Sequence, residues 1–323
     1  MLVLGIESSA HTFGVGIVRN GKILANPKAM FKIENKGLIP AEVAETHAVN
    51  AAGVVSDALE LAGIKMREIQ GVGYTRGPGL GPCLQVGELT AKTIAKRLGV
   101  AIAQVNHAMA HVEITKKFAK MQDPLVLYVS GGNSQILKKN EKFLHYSVLG
   151  ETFDIGVGNM LDSFAREIGL NPAWGSTVAR LAEGGRYVKL PYKVKGMDFS
   201  FTGIATSAAK MKERESVEDL CFSVQETAFS MLCEATERAM LLTRSRELCV
   251  CGGVAQSNRL RQMLGLLAKE HKVRFGYAPD QFNADNGAMI AFVAEKMLKR
   301  GMESKLSECG IEQRYRIEDA VIA

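Results

Sequence analysis

The sequence lacks the features that would place it among membrane, secreted or disordered proteins. Its longest apolar stretches, such as 288–294, fall well short of the ~20 residues that a membrane-spanning helix needs. Met1 runs directly into the apolar stretch 2–6 with no basic segment before it, so we expect neither a secretory leader nor a membrane anchor. Hydrophobic residues make up 47% and charged residues 23% of the chain, a balance that favours a packed globular core over disorder.

Cysteine is scarce and the charge surplus is small. Of the 6 cysteines, only Cys249 and Cys251 lie close together in the sequence, on either side of Val250. We therefore expect reduced thiols and a cytoplasmic protein. The 40 Lys and Arg residues against 34 Asp and Glu residues give a formal charge of +6, which permits contact with phosphate but is far from a dense basic coat. Any RNA contact would need help from partners.

The chain repeats one structural plan. Its 323 residues favour two domains. Segments 2–25 and 125–149 each predict a strand, a small polar turn, a second strand, a hairpin turn (Asn20-Gly21 or Asn140-Glu141) and a third strand. Helical segments follow in each half. This pattern predicts a duplicated α/β lobe with a boundary near residue 122, so that the lobes span 1–122 and 123–299 and the segment 300–323 completes the first.

Apolar periodicity and glycine-rich turns complete the outline. Helical spacing predicts helices at 40–61, 84–98, 159–170, 217–244, 258–269 and 286–299. Glycine-rich turns follow predicted strands at 76–82, 130–133 and 252–253, where backbone N–H groups can approach an anion. There is no GxxxxGK[ST] phosphate loop and no GxGxxG opening a βαβ unit, so the nucleotide pockets of those two kinds are excluded.

A histidine pair is the sharpest chemical signal. In HAMAHVE, His107 and His111 lie one helical turn apart, where two imidazoles can share a divalent metal ion. Asp285, in the turn before the last predicted helix, is a candidate third ligand. From these residues alone, two hydrogen-bonded helix histidines and a helix-capping Asp285 remain alternatives. A zinc peptidase is disfavoured, because the position after the first histidine is Ala108 and not the glutamate that acts as general base.

Several blocks of the sequence resemble one family along nearly the whole chain. They are GIESSAHTFGVGIV, GPGLGPCLQV, VNHAMAHVEI, YVSGGNSQ, GETFDIGVGNMLDSFARE, LPYKVKGMDFSFTG, SVQETAF, CGGVAQSNRLR and ADNGAMIA. These blocks are similar to the tRNA N6-threonylcarbamoyladenosine synthases, once described as O-sialoglycoprotein endopeptidases. The sequence of these blocks is most similar to that of the archaeal and eukaryotic subunit of the KEOPS complex.

The resemblance implies a fold and an activity. The fold is α/β, with two ribonuclease H-like lobes of the actin, sugar-kinase and heat-shock-chaperone (ASKHA) type around a central cleft. The activity is transfer of the threonylcarbamoyl group from threonylcarbamoyl-AMP to N6 of the adenosine 3′-adjacent to the anticodon in ANN-decoding tRNAs. The implied partners are tRNA and the KEOPS subunits, among them a small kinase or ATPase and a dimerising subunit.

The resemblance also implies a site. One divalent ion, iron or zinc with Fe²⁺ favoured, is held by His107, His111 and Asp285, and Tyr128 is a further metal or substrate contact. The implied substrate-binding residues are Tyr128, Val129, Ser130, Gly131, Gly132, Asp162, Gly175, Ser257 and Asn258.

Two stretches depart from the family pattern. The family's FPGGPxxE stretch corresponds to 171–179, where Gly175 stays in register and Ala179 takes the glutamate position. The family's VAAN becomes VAQS at 254–257, with Asn258 one position later. Both changes fall in the implied nucleotide-binding wall, so a scaffold subunit with impaired adenylate binding stays open as an alternative. A second alternative, which the implied fold itself raises, is an ATP-binding phosphotransferase or ATPase.

Overall fold

The computed structural model describes residues 1–31, 39–140 and 144–321 and divides the chain into two units. The first unit comprises Met1–Ile114, Lys142–His145 and Ala284–Ala323, and the second comprises Thr115–Glu141 and Tyr146–Asn283. The predicted division differs from this one, since it put the boundary at 122/123 and placed 284–299 in the second lobe. Of the predicted second hairpin, Glu141 and Phe143 lie outside the described residues.

The first unit is built on a six-stranded sheet. Its strands are β1 (Leu2–Glu7), β2 (Thr12–Arg19), β3 (Lys22–Ala25), β4 (Lys28–Met30), β5 (Gly71–Gly77) and β6 (Ala101–Asn106). Their order is β3-β2-β1-β5-β6, with β4 also paired to β2. The β1–β2 hairpin is antiparallel, whereas β5 and β6 run parallel to β1. Helices α1 (Pro40–Ala62) and α2 (Gly81–Leu98) pack their apolar faces on this sheet.

The last helix packs on the opposite face of the same sheet. This helix, named α10 below, spans Gly287–Lys299 and contacts β1, β2 and β5. A Cβ atom at Gly5 would lie 2.1 Å from the backbone N of Ala291, and one at Gly16 would lie 2.2 Å from that of Ala288. Glycine in the sheet and alanine in the helix thus allow a close approach that larger side chains would prevent. This packing explains why 284–299 belongs to the first unit.

The second unit repeats the same strand order. Its strands are β7 (Leu125–Val129), β8 (Ser134–Asn140), β9 (His145–Glu151), β12 (Glu247–Cys251) and β13 (Arg274–Tyr277), and a small hairpin is formed by β10 (Val194–Lys195) and β11 (Asp198–Phe199). The large sheet is ordered β13-β12-β7-β8-β9, with β7–β8 antiparallel and β12 parallel to both β7 and β13. The predicted duplication of an α/β lobe is therefore confirmed, and the structure adds that parallel strands extend the sheet of each lobe.

Three of the remaining helices match the segments 159–170, 217–244 and 258–269, where apolar periodicity predicted a helix, whereas the short helices at 175–181, 202–209 and 280–283 were not predicted. The remaining helices are α3 (His107–Ala119), α4 (Val157–Glu167), α5 (Gly175–Leu181), α6 (Thr202–Ala209), α7 (Val217–Thr243), α8 (Asn258–Glu270) and α9 (Asp280–Asn283). The buried face of α7 lies within the core of the second unit. Among the described residues, the helices that reach bilayer length are too polar to cross a membrane.

Candidate metal centre

Two helix starts in the first unit carry the predicted metal ligands. Asn106 ends β6, and its Oδ1 accepts a hydrogen bond from the backbone N of Met109 at 3.0 Å, which fixes the first turn of α3. His107 and His111 lie on consecutive turns of this helix. Asn286 in turn caps α10 by accepting from Met289 N at 3.0 Å. Because the cap is Asn286, the carboxylate of the preceding residue, Asp285, is available for another role.

The three predicted ligands converge on one point. Asp285 Oδ1 lies 3.2 Å from His111 Nε2 and 3.5 Å from His107 Nε2. One candidate ligand atom from each residue lies within 4.8 Å of the others. Ligand atoms at ~2.0–2.1 Å from a tetrahedral zinc ion would be ~3.3 Å apart, so the spacing fits a shared divalent ion. The histidines are buried, and 19% of the Asp285 side chain is exposed.

A fourth residue, Glu7, orients the first histidine and was not predicted from the sequence. Its Oε2 lies 3.0 Å from His107 Nδ1, so the other ring nitrogen, Nε2, faces Asp285. Glu7 is fully buried and accepts hydrogen bonds from Ser9 N at 2.6 Å and from the Thr75 hydroxyl at 2.7 Å. Carboxylates that hold the second nitrogen of a ligating histidine fix its tautomer and orientation. The sequence feature that could have identified Glu7 is an acidic residue at the end of an apolar strand.

The electrostatics of the cluster favour a cation. Burial would lower the pKa of His107, but the nearby carboxylates of Glu7 and Asp285 outweigh burial and raise it to about 9. Burial would raise the pKa of Asp285, yet the adjacent His107 and His111 hold it well below its usual range. Burial lowers the pKa of His111 in spite of its hydrogen bond to Asp285. Two carboxylates thus face one imidazolium, and the surplus negative charge suits a bound metal ion.

The glutamate of the same sequence block has a different function. Glu113 is buried and forms an ion pair with Lys296 of α10. This pair ties α3 to α10, the two helices whose N-terminal ends carry the candidate ligands. The structure therefore gives Glu113 a supporting position, in line with the argument against a peptidase.

The predicted substrate residues at the end of β7 form a tight turn in the second unit. Tyr128 and Val129 end the strand, and Ser130 Oγ accepts from Asn133 N at 3.0 Å. The N-terminal end of α4 bonds back to this turn, with Gly158 N and Asn159 N donating to the carbonyls of Ser130 and Gly131. A Cβ at Gly252 would lie 2.4 Å from Val129 O, so the double-glycine turn after β12 also packs here. The structure thus brings 128–132 and 252–253 together.

The other predicted substrate residues have helix-capping contacts. Asp162 and Gly175 contact each other directly, because Asp162 Oδ1 accepts from Gly175 N at 2.6 Å at the start of α5. Ser257 caps α8 by accepting from Leu260 N, and Asn258 is the first residue of that helix. Roles for these residues in substrate binding stay predictions, as does the metal contact of Tyr128.

Comparison with known proteins identifies the family. The model of the TsaD family, tRNA N6-adenosine threonylcarbamoyltransferase, matches residues 21–292. A protein of that name from Thermococcus gammatolerans is 45% identical over 322 residues, covering 99% of this chain and 98% of its own. One from Danio rerio is 40% identical over 331 residues, with 99% and 98% coverage. A probable bifunctional tRNA threonylcarbamoyladenosine biosynthesis protein from Thermoplasma volcanium is 44% identical over 321 residues, covering 99% of this chain and 60% of that protein.

Solved structures with low sequence identity show the fold. HypF from T. kodakarensis superposes with a TM-score of 0.65 at 14% identity, covering 93% of this chain and 48% of HypF. The activator of 2-hydroxyisocaproyl-CoA dehydratase from Clostridium difficile gives a TM-score of 0.56 at 14% identity, with 93% and 97% coverage. These similarities confirm the predicted α/β fold of the ASKHA type. With its family model and its relatives both matched over most of its length, the chain belongs to the TsaD family of tRNA N6-adenosine threonylcarbamoyltransferases.

Proposed function

We propose that this protein transfers a threonylcarbamoyl group from threonylcarbamoyl-AMP to N6 of the adenosine 3′-adjacent to the anticodon in ANN-decoding tRNAs. The observation that carries the proposal is the convergence of His107, His111 and Asp285 on one point in a chain of the TsaD family. The names of the relatives support the tRNA substrate and the acyl-transfer reaction.

The residues of the centre fit a divalent metal ion. His107, His111 and Asp285 would hold it, and Glu7 would keep the His107 ring in position. When bound, such an ion supplies a Lewis acid and a template for the acyl oxygens. Two imidazoles and a carboxylate suit iron and zinc alike. Family resemblance favours Fe²⁺.

The proposed reaction depends mainly on positioning. The N6 amine of adenine attacks the carbamoyl carbonyl carbon and a new N–C bond forms. The C–O bond to the phosphate then breaks, AMP leaves with the electron pair, and the amine loses a proton. Holding two reactants in an aligned geometry can lower such a barrier by ~7–11 kcal/mol. We assign to the backbone N–H groups of Gly131 and Gly132 the stabilisation of the negative charge that develops on the departing phosphate.

The second unit supplies the proposed adenylate contacts. We assign this role to the turn at 128–132, to the bonded pair Asp162 and Gly175, and to Ser257 and Asn258 at the start of α8. The hydrogen bonds that order each of these groups support the assignment, because a binding site needs side chains and backbone held in one geometry.

We infer that the protein works with partners in the cytoplasm. A KEOPS assembly with a small kinase or ATPase and a dimerising subunit follows from the family resemblance. The bifunctional relative, of which this chain covers 60%, supports a second activity joined to this one. A formal charge of only +6 also favours an RNA-binding surface that is shared between subunits.

Transfer from synthetic threonylcarbamoyl-AMP to a tRNA transcript tests the proposed activity. Purified protein, alone or with its partners, should yield threonylcarbamoyladenosine in the nucleosides of the digested tRNA, measured by mass spectrometry. The His107→Ala variant should lose bound metal and at least 100-fold in transfer rate, because one of three ligands is gone. His271→Ala is the matched control, since His271 pairs with Glu237 in the second unit.

The alternatives give different outcomes in the same assay. ATP hydrolysis or phosphate transfer without the modified nucleoside would contradict the proposal and support a phosphotransferase. Tight binding to partners with neither adenylate binding nor transfer would instead support a scaffold subunit.

A further inference from the structure

We propose that the extended segment 186–195, here called the basic strap, is a docking surface for the RNA substrate. This inference rests on the proposed function, which makes the substrate a tRNA. The strap has the sequence RYVKLPYKVK, with four basic residues, two tyrosines and no acid, in a chain whose formal net charge is +6. The strap thus carries four positive charges and no negative charge within ten residues, which matters because phosphate contacts depend on local charge.

Helix α7 fixes the beginning of the strap through its backbone. Asp219 Oδ1 accepts a hydrogen bond from Arg186 N at 2.6 Å, and Ser223 Oγ accepts one from Val188 N at 2.7 Å. The two acceptors lie one helical turn apart on α7. They bond backbone groups two residues apart on the strap, so this part of the strap is held extended along the helix.

The same helix fixes the far end of the strap. The Tyr192 hydroxyl donates to Glu234 Oε2 at 2.6 Å, and Arg238 Nη1 donates to the carbonyl of Gly196 at 2.7 Å. Glu234 also pairs with Arg238, so the two side chains support each other. The strap is thus ordered at both ends before any ligand binds, and binding would cost little conformational entropy.

The side chains of the strap separate into an inner and an outer set. Leu190 is buried and Val194 is half-buried, and both pack into the core of the second unit. Lys189, Lys193 and Lys195 are exposed, and none of them forms an ion pair with the described part of the chain. The outer set is therefore three exposed cations on an anchored backbone, free to contact phosphates.

Exposed tyrosine rings lie between these cations. Tyr187 is 55% exposed and Tyr192 is 48% exposed, although both are large and partly apolar. Their hydroxyls contact α7 through Thr227 and Glu234, which limits the motion of the rings. Fixed aromatic faces interleaved with cations are typical of surfaces that stack unpaired bases and bind the phosphates beside them. A folded tRNA offers both groups in its single-stranded loops.

Measuring the affinity of the full-length protein for a tRNA transcript at several salt concentrations tests the proposal. The test variant combines Lys189→Gln, Lys193→Gln and Lys195→Gln. The control variant removes the same charge from other exposed lysines by combining Lys96→Gln, Lys269→Gln and Lys272→Gln. The test variant should bind tRNA at least tenfold more weakly, and the slope of log K against log salt should fall by about 2, since each phosphate contact contributes ~0.7. The control variant should stay within twofold of the wild type.

A second measurement uses the wild-type protein and does not depend on the folding of a variant. Saturating tRNA should protect the strap lysines from acetylation more than Lys269 and Lys272, as read by mass spectrometry. Equal affinity of the two triple variants, or unprotected strap lysines, would overturn the proposal. So would a strap variant that keeps its tRNA affinity and loses a partner protein. The His107→Ala variant should keep wild-type tRNA affinity, so failed transfer and failed docking can be told apart.

Discussion

At position 7, a carboxylate closes an apolar strand and contacts a histidine 100 residues further along the chain. Glu7 accepts hydrogen bonds from Ser9 and Thr75 as well as facing His107, so its orientation is fully determined by buried neighbours. A buried carboxylate without partners would be costly, and these bonds offset the cost. We infer that Glu7 links the β1–β2 turn to His107 and thereby fixes the orientation of this metal ligand.

Replacing Glu7 by glutamine should weaken metal binding while leaving the fold intact. The amide keeps the size of the side chain but loses the charge that holds His107 Nδ1. Loss of such an outer carboxylate typically lowers metal affinity ~10–100-fold. Competition with a chromophoric chelator measures this change directly. Glu226→Gln is the matched control, because Glu226 is half-buried and charge-paired but its partner is Arg259 in the second unit. An unchanged metal affinity of the Glu7→Gln variant would contradict this role of Glu7.

Among the elements, α6 shows how one acidic side chain begins a helix in an otherwise irregular region. The Asp154 carboxylate accepts from the backbone N of Phe201 at 3.0 Å and of Thr202 at 2.9 Å, and from the Ser200 hydroxyl at 2.6 Å. Its contacts show that it organises the N-terminal end of α6.

Asp154→Asn should lower the free energy of unfolding by about 1 kcal/mol at pH 7, because an amide nitrogen cannot accept the hydrogen bonds that Oδ2 takes from Ser200 and Thr202. Partial burial would raise the pKa of Asp154, but the hydrogen bonds from Ser200, Phe201 and Thr202 hold it well below its usual range. A depressed folded-state pKa stabilises the protein above the unfolded value of ~3.9, and this contribution is lost as pH falls further.

Urea denaturation of wild type and variant at pH 7 and pH 3 measures this dependence. The difference between them should be smaller at pH 3. Asp57→Asn, at an exposed position of α1, should show little difference at either pH. A difference for Asp154→Asn that is equal at both pH values would contradict the capping role.

Local patterns predicted the elements well, and long-range contacts explain what they missed. The periodicity of α1 and α7 gave bounds within a residue or two of the observed ones, because each helix buries one regular face. The basic strap has no helical or strand periodicity of its own, since α7 fixes it through side-chain hydrogen bonds. No pattern within the strap could reveal that arrangement.

For the whole molecule, the repeated strand order shows that two units share one plan, as the sequence predicted. The extent of the first unit was harder to predict. Helix α10 follows the second unit in the chain but packs on β1, β2 and β5 of the first. The signal for that packing is a set of glycines and alanines nearly 300 residues apart, and each is unremarkable alone. The same packing places Asp285 beside α3, so the fold of the first unit and its metal centre depend on one helix.

The most direct test is to locate the metal by anomalous diffraction, using crystals of protein purified without oxygen and data collected at the edge of the metal found by elemental analysis. We predict one strong peak within bonding distance of His107 Nε2, His111 Nε2 and an Asp285 carboxylate oxygen. A metal peak elsewhere, or metal-free protein that transfers threonylcarbamoyl at the full rate, would contradict the account.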